Sequence, residues 1–169
     1  MRHKVRGRKI GSHMGHRKAI EKNLINQLLT HERIVTTITK AKEYRPKAEK
    51  IITMAKKAFI AERDASTPEQ KEKANLTKLH YIRIIISRLG KQKLFDKDGD
   101  PILTPKERIR TIIQKLFDDL GERFVDRPGG YTRILRLPKK RQGDDAQLVL
   151  WELVGKEELE EKRKASKKS

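Results

Sequence analysis

The chain has no cysteine, which closes off disulfides, thiolate metal sites and cysteine nucleophiles together and fits a reducing compartment. No apolar stretch approaches the roughly 20 residues that a membrane-spanning helix requires. The N-terminus begins with charge but has no apolar segment behind it, so it is not a secretory signal, although an Arg-rich, acid-poor start can imitate an organellar transit peptide. Acidic residues are scarce: 23 Asp plus Glu face 42 Lys plus Arg in 169 residues, a formal net charge of +19. Only 35% of residues are hydrophobic and 38% are charged, so a core must come from a few strongly patterned segments, giving a small domain with protruding extensions. The charge imbalance concerns partners and not fold.

What is present is most informative at the start. Residues 1–18, MRHKVRGRKIGSHMGHRK, hold seven Lys or Arg, three His and three Gly and no acid. With Val5, Ile10 and two methionines as the only sizeable apolar side chains, residues 1–15 form a basic arm that cannot offset its own ordering entropy and extends until a polyanion neutralises it. Each Lys or Arg beside a phosphate releases condensed counterions, so the arm reads as nucleic-acid binding; the alternative is a solvated charge run. Arg2, Lys4, Arg6, Arg8, Lys9, Arg17 and Lys18 are the candidate phosphate contacts, arginines by bidentate pairing and lysines as point charges. His3, His13 and His16 can stack on RNA or act as spacers. Gly7, Gly11 and Gly15 either let the backbone approach phosphate or only supply flexibility. His13 and His16 have no further ligand at a recognisable spacing, so no metal site is expected.

Apolar periodicity places a first helix over about residues 16–31, and the β-branched RIVTTI of 33–38 a strand. Ala41, Tyr44, Ala48, Ile51, Ile52, Ala55 and Phe59 then form one stripe of a long helix, expected to start near Arg45 or kink at Pro46, which has no amide proton. Thr67-Pro68-Glu69-Gln70 carries a capping box for a helix ending at Gly90, with Leu76, Leu79, Ile82, Ile86 and Leu89 on one face. KLFDKDGDPIL suggests a hairpin turning at Asp98-Gly99. Thr104-Pro105-Lys106-Glu107 repeats the capping signature for a helix that Gly121 should stop. Tyr131–Leu137, a basic loop PKKRQGDD and Ala146–Val154 read as a final hairpin, and 155–169 as a charged tail, frayed or disordered. The fold class is α+β, in the order helix, strand, helices, strand, strand. Residues 16–154 then make a single domain, with a small three-stranded sheet packed by helices.

Outside the arm, Lys40, Lys42, Arg45 and Lys47 crowd a helix start, where they oppose the dipole unless phosphate compensates or the face is simply solvated. In Gly129-Gly130-Tyr131-Thr132-Arg133, alternation puts Tyr131 and Arg133 on one strand face, to meet RNA, or else Tyr131 seals the core. Lys139, Lys140 and Arg141 at the hairpin tip are further candidate RNA contacts. Asp96, Asp98, Asp100 and Glu107 have calcium-loop spacing, but Pro101 stands where that loop needs Gly, so a turn and a cap explain them better.

The strings HERIVTTITKAKEYRPKAEKIITMAKK and LFDDLGERFVDRPGGYTRILRL, with the opening MRHK, Gly7-Arg8 and His16-Arg17, resemble the bacterial large-subunit ribosomal protein family numbered seventeen. The resemblance covers about residues 1–61 and 105–153 and is collinear. It implies an α+β protein that binds large-subunit ribosomal RNA on the outer face of the subunit near the polypeptide exit. Neighbouring ribosomal proteins are then its partners, in the bacterial cytoplasm, without catalysis, cofactor, metal, membrane or small-molecule substrate. It also implies that Met1 is the family's own start, leaving no removable presequence. About residues 65–103, carrying a helix and hairpin, exceed the family's usual connection, and the resemblance gives them no role.

Two rival functions remain to be weighed. A free-standing architectural nucleic-acid-binding protein would share the charge and the arm, but no groove-reading helix or intercalating hairpin is recognisable. An RNA-processing enzyme would need clustered carboxylates or a His pair, whereas Asp118, Asp119 and Glu122 lie near a helix end and Asp144 and Asp145 in a loop.

Overall fold

The computed structural model describes residues 7, 8, 10–95, 101–104 and 109–155. Helix α1 (Met14–His31), strand β1 (Arg33–Thr37), and helices α2 (Ile38–Arg63) and α3 (Pro68–Leu89) come first. A rod follows, made of α4 (Ile112–Gln114), a π-helical stretch (Lys115–Leu120) and α5 (Gly121–Arg123), and then strands β2 (Thr132–Lys140) and β3 (Gln147–Leu153). The strands form one antiparallel sheet in the order β1-β3-β2. This is the expected α+β arrangement.

Strand alternation sends Val149, Trp151 and Leu153 to the inner face, where they are buried. Ala41, Tyr44, Ala48, Ile51, Ile52 and Ala55 of α2 join the same core, as do Ile25, Leu28 and Leu29 of α1 and Leu116, Phe117 and Leu120 of the rod. The stripe read from α2 is therefore its buried face, but the helix does not wait for Arg45. It begins at Ile38 with Thr37 as N-cap and runs through Pro46. Ala41 and Tyr44 are buried in its opening turns, and that burial offsets the hydrogen bond the Lys42 carbonyl loses to proline.

Helix α3 starts as its local chemistry dictates. Thr67 accepts from the Gln70 amide and the Gln70 side chain accepts from the Thr67 amide, at 3.3 Å each. Gly90 ends it at φ 73°, donating to the Ile86 carbonyl. Its stripe is buried only toward the C-terminal end: Leu89 lies in the core and Ile82 and Ile86 pack partly against it, with Ile85 buried beside them, while Leu76 and Leu79 remain 61% and 48% exposed.

Beyond α3 three extended segments close a triangle. Leu94 N donates to the Arg110 carbonyl (2.8 Å), Ile102 N to Leu94 (3.1 Å) and Arg110 N to Ile102 (2.7 Å). The antiparallel pair Phe95–Pro101 agrees with a hairpin there; its turn at Asp98-Gly99, and the calcium-spaced acids, lie outside the described residues. The next helix does not start at Thr104. Ile109 pairs with Leu103 and Thr111 with Lys93, and the rod opens only at Ile112 under a second capping box, with Gln114 N on Thr111 Oγ1 at 3.3 Å and Thr111 N on Gln114 Oε1 at 2.9 Å. Of two local capping signatures, long-range pairing of residues 109–111 selects the later one.

Gly121 is not the stop either. It is helical (φ −58°, ψ −48°), and a β-carbon there would lie 3.3 Å from Phe59 Cβ and 3.4 Å from the Ala55 carbonyl oxygen. Close packing of the rod on α2 requires the glycine. Strand β2 continues past Leu137 to Lys140, absorbing Pro138 through a register shift between Arg136 and Lys140. Of the expected tail at 155–169, residues 156–169 lie outside the described residues.

Candidate nucleic-acid interface

Where the arm meets the domain, the backbone is held by an acid on α2. Arg8 N donates to Glu43 Oε2 at 3.1 Å. Gly7, at φ 95°, passes close enough that a β-carbon would lie 3.2 Å from the other Glu43 oxygen. Ile10 packs against the core. Ser12 N donates to His16 Nδ1 at 3.4 Å, so His16 steadies the entry into α1. Arg2, His3, Lys4, Arg6 and Lys9 lie outside the described residues.

This entry leaves a cleft of about 340 Å³ onto which Arg8, Arg17, Lys18 and Lys47 converge. The acids beside it are engaged: Glu43 on the arm backbone, Glu21 with Lys47 Nζ at 2.5 Å. The Arg17 Nε is buried and has no hydrogen-bond partner among the described residues. Burial, with the nearby Glu21 and Glu43 charges, raises the Tyr44 hydroxyl above its ordinary pKa, so the phenol stays neutral; it donates to the Arg17 carbonyl at 3.5 Å.

The other candidates separate by their surroundings. Lys42 is exposed and Lys40 half-buried. Arg45 Nε binds Glu49 at 3.0 Å, and the same Glu49 oxygen accepts from the Thr132 hydroxyl at 3.0 Å, so Arg45 joins a link between α2 and β2. Tyr131 is 1% exposed and packs on Phe124 with ring centroids 5.0 Å apart; it seals the core, and its face is closed to a base. It does not share a face with Arg133, because it precedes β2, directly after Gly130 at φ 63°. Arg127 Nε steadies that turn, donating to the Gly129 and Gly130 carbonyls at 3.1 and 3.0 Å.

On the outer sheet face Arg33 and Arg133, both opposite Glu152 in the register, form ion pairs with it. Glu152 is only 3% exposed, and two guanidinium groups compensate its burial. At the tip, Lys139 is exposed, Lys140 pairs with Asp145 and Arg141 with Asp144. The hydrogen bond from Arg141 holds the Asp144 pKa down at about 2.

Sequence reading missed a junction at Glu32. This residue caps α1 at φ 60°, and its carbonyl accepts from Leu153 N at 2.8 Å. Its carboxylate binds both arms of Arg123 (2.6 and 3.0 Å) and Lys115 Nζ (3.0 Å). Burial opposes ionisation, but those hydrogen bonds and charges outweigh it and bring the pKa to about 2. Also missed were Lys22 and Arg88, which face each other across a second cleft with Lys18. Nothing local marks any of these residues, since each partner is remote in the chain. No group of three or more metal-binding side chains occurs among the described residues.

A model of the family described as Ribosomal protein L17 matches residues 20–154. Proteins named "Large ribosomal subunit protein bL17" are similar along nearly the whole chain. That of Lactobacillus helveticus is 39% identical over 87% of this chain and 98% of its own. That of Rhodopirellula baltica is 37% identical over 92% and 82%, and that of Thermus thermophilus 36% over 91% and 99%. These matches show that the chain belongs to the ribosomal protein L17 family, as a structural, non-enzymatic constituent of the large ribosomal subunit in the bacterial cytoplasm.

Proposed function

We propose that the chain binds large-subunit ribosomal RNA through the arm and the cleft at its foot, on the outer face of the subunit near the polypeptide exit and beside neighbouring ribosomal proteins. The observation that carries the RNA contact is the convergence of Arg8, Arg17 and Lys18 on one cleft whose acids are already engaged, Glu43 by the arm backbone and Glu21 by Lys47. Arg2, His3, Lys4, Arg6, Gly7 and Lys9 extend the contact along the arm, with His16 at its base and Lys40 and Lys42 on the adjoining helix. Lys139 at the hairpin tip is an outlying contact; the location near the exit rests on the family resemblance.

The test is binding of deproteinised large-subunit RNA across a salt series. Replacing Arg8, Arg17 and Lys18 together by Gln should lower the salt slope by about 2–3 and weaken binding on the order of a hundredfold near 0.15 M salt. An unchanged slope sinks the proposal. Recovery of the wild type only in the free fraction, after sedimentation through a high-salt wash, would favour the free-standing architectural reading.

A further inference from the structure

We propose that the cleft between α1 and the C-terminal end of α3, lined by Lys18, Lys22, Ser87 and Arg88, is a second site for an RNA backbone phosphate. It rests on the RNA-binding reading above and extends it to a helix in the stretch that exceeds the family's usual connection. The cleft is about 480 Å³ and shares Lys18 and Glu21 with the arm cleft, so the two adjoin along α1.

Three observations carry it. Lys18, Lys22 and Arg88 take part in no ion pair among the described residues, and Glu21, the one acid lining the cleft, is engaged by Lys47. From Lys73 to Phe95 the chain has six Lys or Arg and no acid; among the described residues, Lys78 alone of these forms an ion pair, with Glu62 at 2.7 Å. Finally, Lys22 is drawn over the end of α3, where a β-carbon on Gly90 would lie 2.8 Å from its Nζ.

Compensation of the α3 dipole is the competing explanation for these cations. The C-terminal end of a helix carries about half a negative charge, and Asn26 Nδ2 already caps the Leu89 carbonyl at 3.1 Å. Three cations exceed that need and leave net positive charge facing the cleft. Ser87 adds a hydroxyl beside them; it is exposed, and its Oγ donates to the Ile84 carbonyl at 2.8 Å.

The experiment uses the full chain and deproteinised large-subunit RNA. Lys22→Gln with Arg88→Gln should reduce the salt slope by about 1.5–2 and weaken binding on the order of tenfold near 0.15 M salt. The charge-retaining pair Lys22→Arg with Arg88→Lys should keep the wild-type slope. If the Gln pair loses its cooperative thermal transition, Ser87→Glu, which places a carboxylate in the cleft from an exposed position, should weaken binding at least as much. An unchanged slope for the folded Gln pair, or unchanged affinity for Ser87→Glu, overturns the second site. Loss of the arm-variant effect as well would overturn RNA binding itself, so the two failures are distinguishable.

Discussion

On the sheet side, Arg33 and Arg133 close on Glu152, Lys140 and Arg141 on Asp145 and Asp144, and Lys115 and Arg123 on Glu32. On the helical side, Lys18, Lys22, Lys42 and Arg88 form no ion pair among the described residues. Both sides draw on the same excess of Lys and Arg. Where an acid lies opposite, the cation's charge is neutralised within the fold, even where the side chain stays wet as at Arg33 and Lys140; where none does, it keeps its counterions and stays available to a polyanion. Net charge alone therefore overstates the surface ready for RNA.

The paired side can be broken, and the largest effect is expected at Glu32. About a third of its side chain reaches solvent, whereas Arg123 is 8% exposed, so Glu32→Gln should cost about 2 kcal/mol at neutral pH after discounting for solvent screening. Because the folded carboxyl lies at about 2 against an ordinary 4.5, its contribution is full above about 4.5 and declines as pH falls toward 2. Urea denaturation across that window should show a flatter pH profile in the variant. An unchanged profile would show that Glu32 is held by the backbone alone.

Glu152→Gln should cost less, about 1–2 kcal/mol, because Arg33, whose side chain is already mostly in water, can turn to solvent when released. The same change sharpens the contrast, since the Arg33 guanidinium it releases should raise the salt slope for RNA by about 0.7–0.9. A slope equal to the wild type would mean that the sheet face stays remote from RNA even when unpaired.

The smallest effect belongs to the hairpin tip. Asp144→Asn with Asp145→Asn should leave the thermal midpoint unchanged, because both pairs are exposed to water, and raise RNA affinity only slightly. A large gain, read by filter binding, would move the tip into the main interface.

Much of the fold was legible because its signals are local. The box of Thr67 and Gln70, the Gly90 stop and the α2 stripe involve residues within a few turns of each other, and each stands as read. Thr104 and Gly121 misled for the opposite reason. The pairing of Ile109 with Leu103 and of Thr111 with Lys93 delays the rod, and the backbone of α2 presses on Gly121; both act across the tertiary structure. Tyr131 was ambiguous because alternation assumes a strand, and Gly130 turns the chain just before the strand begins. In the interface, Arg8, Arg17, Lys18 and Lys47 were legible as cations, but Lys22 and Arg88 were not, since their proximity depends on α3 folding back against α1.

Charge, helical periodicity and the family strings are properties of the linear chain, so composition and order were enough to establish an α+β ribosomal constituent with a basic arm. Which cations are paired was decided by folding, because the acids that neutralise them arrive from remote segments. Glu32 reaches Arg123 and Glu152 reaches Arg33, whereas no acid among the described residues pairs with Lys22 or Arg88.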